Sequence, residues 1–195
     1  VGWLYEMDRV VMLLQIPPRF VPDLSFGFGY PLFNFVYPLP FYLGEIFHLM
    51  GFSFVDAIKL VFGLSLPFSM WAMYLLLREF LDSRLALAGA VLYVFAPYRA
   101  TEIFVRGAIG EIAAFVFIPL IALSFIKFTS KENGLKWIGI SGLSIAGLLM
   151  SHNIMAYMFA PFAIALLALR IIFLKADKLA YLLRSLLGIL LGLLI

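Results

Sequence analysis

The chain has 195 residues, of which 65% are hydrophobic and 13% charged, and its mean hydropathy is +1.08. Soluble domains carry about 45–50% apolar and about 25% charged residues, so a water-soluble globule is excluded and an integral membrane protein is implied. The net charge of +3 comes from scattered basic residues and gives nucleic-acid binding no support, while the lack of cysteine excludes disulfides, thiolate metal sites and cysteine nucleophiles.

The chain opens on Val1, with Glu6, Asp8 and Arg9 close behind, which is unlike the basic start and short apolar core of a signal peptide. Together with the apolar run from Leu186 to Ile195 at its other end, this reads as a stretch of a longer protein. From Pro17 to Tyr42 the sequence is dense in aromatic rings yet repeatedly broken by proline and glycine, a pattern that suits neither a spanning helix nor an alternating strand. Such backbone is expected outside the bilayer core or along a cavity within the protein. Gly27 and Gly29 make an isolated G-x-G with no strand before it, so they are read as turn residues and not as a nucleotide loop. Tyr30, Phe33, Phe35, Tyr37, Phe41 and Tyr42 suit either an interfacial aromatic belt or stacking on sugar rings or isoprenoid chains. Leu39 to Phe52 carries Glu45 and His48 and is too short to span; it is expected to be an interfacial or re-entrant amphipathic helix.

About six segments then approach the roughly 20 apolar residues that a span needs. They run from Ala57 to Leu77, Leu85 to Tyr98, Gly107 to Lys127, Trp137 to Met150, Ile154 to Leu174 and Leu179 to Ile195. Two domains follow: residues 1–56 as an extracytoplasmic loop with an interfacial helix, and residues 57–195 as a helical bundle. Gly139, Ser141, Gly142, Ser144 and Gly147 give the fourth segment a small-residue face for close packing. Arg78 and Arg84, then Lys127, Lys131 and Lys136, then Arg170, Lys175, Lys178 and Arg184 mark alternate connections as cytoplasmic by the positive-inside rule. The N-terminal region, the Arg99 to Arg106 connection and the Ser151-His152-Asn153 turn therefore share the extracytoplasmic face of a multi-pass plasma-membrane protein.

These three regions hold the candidate site residues. Arg99, Glu102 and Arg106 follow Pro97 at spacings of three and four, which places them on one face of a helical turn. They suit an anionic phosphate headgroup, with the carboxylate orienting an arginine or binding a sugar hydroxyl; an interfacial ion pair is the plainer alternative. Glu111, at the start of its span, is either a charge favoured by the helix dipole or a site residue facing a cavity. In the His152 turn, Ser151 or Asn153 is expected to cap the next helix, leaving His152 to bind a phosphate or exchange a proton. Among the N-terminal carboxylates Glu6, Asp8 and Asp23, one near an arginine suits a general base toward an acceptor hydroxyl, and a solvated loop charge is the alternative. A divalent cation held by Asp, Glu and a substrate phosphate is compatible with this inventory and specified by none of it.

The strings PPRFVPDLSFGFGYPLFNFVYPLPFYLGEIF, AIKLVFGLS, MYLLLREF and FAPYRATEIFVRGAIGE and the later SHN turn resemble, in matching order from about Arg9 to about Tyr157, a bacterial and archaeal membrane-protein family. Its members are labelled 6-pyruvoyl-tetrahydropterin synthase-related and are similar to YfhO-type and GT-C-type glycosyltransferases. The resemblance implies an all-α, polytopic, GT-C-like bundle with an irregular aromatic extracytoplasmic loop. It also implies transfer of a sugar from a polyprenyl-phosphate donor to an extracytoplasmic acceptor. In that reading Asp8 or Glu102 activates the acceptor, and Arg19, Tyr30, Arg99, Arg106, Glu111, His152 and Asn153 bind substrate. Pterin-synthase activity itself is set aside, because that enzyme type binds zinc through several histidines and this chain has two. A transporter of lipid-linked saccharides and a non-catalytic envelope-biogenesis factor are the rival readings.

Overall fold

The computed structural model describes residues 1–129, 134–175 and 177–195. These form α1 (Gly2–Met12), α2 (Leu32–Phe35), α3 (Leu39–Leu49), α4 (Phe54–Leu77), α5 (Ser83–Val94), α6 (Pro97–Thr101), a π-helical turn (Glu102–Arg106), α7 (Ile109–Lys127), α8 (Gly134–Ser151), α9 (Asn153–Phe173) and α10 (Lys178–Leu194). Among the described residues the only β pairing is an isolated antiparallel bridge between Val21 and Tyr30 inside the aromatic segment. The all-helical expectation holds.

Among the described residues four helices, α4, α7, α8 and α9, are long and apolar enough to cross a membrane. The expected sixfold count is reduced at two places. The segment expected from Leu85 to Tyr98 is cut after Val94: Ala96, preceding Pro97, is extended, as the proline ring demands, and α6 restarts on the proline. The 12 residues of α5 cover roughly 18 Å, well short of a hydrocarbon core of about 30 Å. With 17 residues, α10 stands at the lower edge of spanning length.

The N-terminal region is more ordered than a loop. Leu4, Met7 and Val10 recur at helical spacing and are buried, so α1 docks its apolar face on α3 and on the start of α4. α3 has 11 residues, too few to span, as expected of Leu39 to Phe52, and it buries Phe41 and Glu45.

α7 runs parallel to α4. Their first turns share a core through Ala57, Val61 and Ile109, and their far ends are tied by Lys127 Nζ to Glu79 Oε2 at 2.6 Å. α8 returns antiparallel to α7, with Gly147 against Phe117 and Gly110 against Ser151, and α10 follows α8 in parallel. Ser141, Gly142, Ser144 and Gly147 are buried, and a methyl added at Gly142 or Gly147 would overlap Leu191 or Phe117. Gly139 lies in open space and is not part of that contact.

Basic side chains gather at one end of the bundle: Lys127 on Glu79, Arg170 on the Ile126 carbonyl at 3.0 Å and Arg184 on the Phe128 carbonyl at 2.6 Å. Lys131, assigned to the same connection, lies outside the described residues. At the opposite end lie the first turn of α7, the His152 turn and Phe35, whose carbonyl accepts from Asn153 Nδ2 at 3.4 Å.

Candidate functional site

The π turn and the first turn of α7 bring three charges together at that opposite end. Arg106 donates from one guanidinium nitrogen to Glu102 Oε1 at 2.6 Å and from the other to Glu111 Oε1 at 2.9 Å. Glu102 is fully enclosed and Glu111 nearly so, whereas the Arg106 side chain is 51% exposed. Tyr98 closes the group by donating to Glu111 Oε2 at 2.6 Å. The two carboxylates thus hold the guanidinium from below, fix its plane and leave its outer edge open.

His152 enters from the α8–α9 turn, and the cap is where expectation and structure differ. Neither Ser151 nor Asn153 caps α9; His152 Nδ1 accepts from the Met155 N–H at 3.2 Å. A ring nitrogen that accepts leaves the neutral imidazole with its proton on Nε2. That atom faces Glu111 Oε1 at 3.8 Å. Burial first, and Arg106 second among the depressing influences, hold the His152 pKa below its ordinary value, although Glu111 opposes them. His152 at neutral pH is therefore a hydrogen-bond donor at the site and not a base. Tyr37 packs its ring 4.8 Å from the imidazole, and burial, then Glu111, raise the pKa of its hydroxyl.

Asp8 belongs to a second group, built where α1 meets α3. His48 Nδ1–H donates to the Phe52 carbonyl at 2.8 Å, which leaves Nε2 toward Asp8 Oδ1 at 4.0 Å. Glu45 is buried beside them, and burial followed by the charge of Asp8 raises its pKa. Phe41, which stacks on Tyr37 at 6.3 Å, connects this group to the His152 side.

The remaining expectations divide. Tyr30 is half-exposed beside Phe35 at 6.2 Å, and Asn153 ties α9 to α2. Arg19 is exposed, and only its backbone N–H is tethered, to Gln15 Oε1 at 3.0 Å. Asp23 is engaged by Arg9 at 2.5 Å. Arg99 does not join Glu102 and Arg106 on one face: it is 1% exposed and donates to Ser69 Oγ at 2.9 Å. Glu45 and His48 carry polar chemistry that the N-terminal carboxylates alone did not announce. Their three-residue spacing, which puts both on one face of α3, was the available signal, and His48 reaches forward to the Phe52 carbonyl. Among the described residues no three His, Asp or Glu side chains are grouped to hold a metal ion, and the two histidines sit in separate groups.

A family model described as 6-pyruvoyl-tetrahydropterin synthase related domain, membrane protein, matches residues 33–195. No curated protein and no solved structure matches the chain.

Proposed function

The chain belongs to the 6-pyruvoyl-tetrahydropterin synthase related family of membrane proteins, and from that premise we propose that it acts as a GT-C-like glycosyltransferase using a polyprenyl-phosphate sugar. The observation that carries the proposal is the seating of Arg106: two enclosed carboxylates fix it, its outer edge is open, and the Nε2–H of His152 lies alongside. Oriented donors of this kind suit a phosphate that gains charge as it departs. In the reaction an acceptor hydroxyl attacks the anomeric carbon, the bond from that carbon to the phosphate oxygen breaks, and the hydroxyl proton passes to a carboxylate. Asp8 is assigned as that base, with Glu45 and His48 around it. Glu102 and Glu111 act through Arg106 as positioning residues. The concentration of basic side chains at the other end supports an extracytoplasmic site.

The test is transfer from a polyprenyl-phosphate sugar by the intact protein in liposomes. Arg106→Lys and His152→Asn each lower kcat, by on the order of 100-fold for loss of an oriented donor, while membrane insertion is unchanged. Undiminished transfer in both variants would remove this donor set from the proposal. One observation favours the rival transporter reading: α5 and α6 form a broken helix that carries Arg99 toward the middle of α4, as in carriers built on discontinuous helices. Movement of a lipid-linked saccharide across the liposome with no sugar transfer would replace the enzyme by the carrier.

A further inference from the structure

Arg99 lines a cavity of about 570 Å³ between α4 and the α5–α6 break, within the size range of small-ligand sites. The surrounding wall is apolar, formed by Phe62, Leu66, Pro67, Phe95 and Ile103. Two prolines shape it. Pro119 has no N–H for the carbonyl of Phe115, and Tyr93 Oη supplies the missing donor at 2.9 Å. That bond clamps the Tyr93 and Phe115 rings against the guanidinium, whose carbon lies 5.3 Å and 4.6 Å from their centroids. Pro67 in turn withholds a donor from Gly63, and both residues line the cavity.

The guanidinium is left incompletely satisfied. One terminal nitrogen bonds Ser69, while Nε and the other terminal nitrogen are buried without a hydrogen-bond partner. Ser69 stands eight residues before Leu77 and fifteen after Phe54, roughly 12 Å and roughly 22 Å along the α4 axis. This places the charge at hydrocarbon depth, where an uncompensated cation is costly. An anion in the cavity would remove that cost, and the apolar wall selects one that carries an apolar chain.

We propose that this cavity binds the anionic headgroup of a lipid, with Arg99 on its phosphate or carboxylate and the chain against α4 and α5. The site is separate from the Arg106 group, and its occupancy does not depend on sugar transfer. The experiment is retention of dodecyl phosphate by the intact protein in non-ionic detergent, read as bound mass by native mass spectrometry. In the Arg106→Lys background, where the proposed transfer site has lost its oriented donor, the protein should retain dodecyl phosphate at least tenfold better than either dodecanol or inorganic phosphate. Arg99→Met should abolish the preference. Gly63→Leu keeps the guanidinium and projects a side chain into space that is open around Gly63, so it should also lower retention at least tenfold. Equal retention of dodecanol, or of inorganic phosphate without a chain, would overturn the proposal, as would full retention by Gly63→Leu.

Discussion

Arg99 and Arg106 are seven residues apart and meet opposite environments. Arg106 is half exposed and bonded to two enclosed carboxylates, so its charge is compensated by the protein itself. Arg99 is enclosed, touches a hydroxyl and two aromatic faces, and keeps two nitrogens without partners. The difference arises where α6 gives way to the π turn at Glu102. The i to i+4 pair of Glu102 with Arg106 survives the change, but Arg99 points away from it toward α4. A cation compensated by carboxylates of the protein holds the fold together, whereas one compensated only by rings and a hydroxyl contributes little to it.

The largest effect that would break this contrast is expected at Arg106. Arg106→Ala strands Glu102 at full burial beside Glu111, leaving two carboxylates without the cation that compensates them. The intact protein in detergent should show a markedly lower melting temperature, and the double change Arg106→Gln with Glu102→Gln should restore most of it. A single variant that melts like wild type would mean that the ion pairs do not hold the turn.

Arg99→Met is expected to go the other way. Among the described residues its guanidinium has no carboxylate partner to strand, so an apolar side chain of similar length removes a desolvation cost and should be neutral or stabilising. A higher or unchanged melting temperature in ligand-free detergent sharpens the contrast. A fall comparable to that of Arg106→Ala would show that Ser69, Tyr93 and Phe115 compensate the guanidinium fully.

Much of the bundle was legible in the sequence. Long apolar runs mark α4, α7, α8 and α9, and the alternation of basic residues anticipates which helix ends lie together. α1 escaped because Glu6, Asp8 and Arg9 interrupt a run whose Leu4, Met7 and Val10 still keep helical spacing. α5 was read too long because mean hydropathy does not register the break that Pro97 imposes on Ala96. Of the candidate site, the sequence marked the charged side chains but not their grouping. The π turn breaks the spacing argument for Arg99, and the bond from Tyr93 to the Phe115 carbonyl spans 22 residues. His152 was taken as surplus to the turn because Ser and Asn are the usual caps.

That cap yields the next prediction, smaller in size and visible in pH. His152→Ala removes it and should cost about 0.5–2 kcal/mol at neutral pH. Because burial lowers the folded-state pKa below the ordinary value of about 6.5, the unfolded chain binds the proton more readily as pH falls through that value. Stability contributed by neutral His152 is present above about pH 6.5 and is lost on acidification. Glu111 opposes the trend and Arg106 reinforces it. His152→Asn, which keeps a capping oxygen and cannot titrate, should flatten this part of the melting profile between about pH 7 and pH 5. An unchanged slope would assign the titration elsewhere.

The smallest effect tests why Arg99 can be held at all. Tyr93→Phe leaves the ring over the guanidinium and removes only the hydroxyl that satisfies the carbonyl freed by Pro119. Loss of that bond should cost about 0.5–1.5 kcal/mol, somewhat more if the carbonyl stays dry. The combination Tyr93→Phe with Pro119→Ala gives Phe115 back its helical donor, so it should recover stability that Tyr93→Phe alone loses. If the double variant recovers nothing, the Tyr93 hydroxyl is not replacing the missing backbone donor. The aromatic clamp around Arg99 would then rest on ring packing alone.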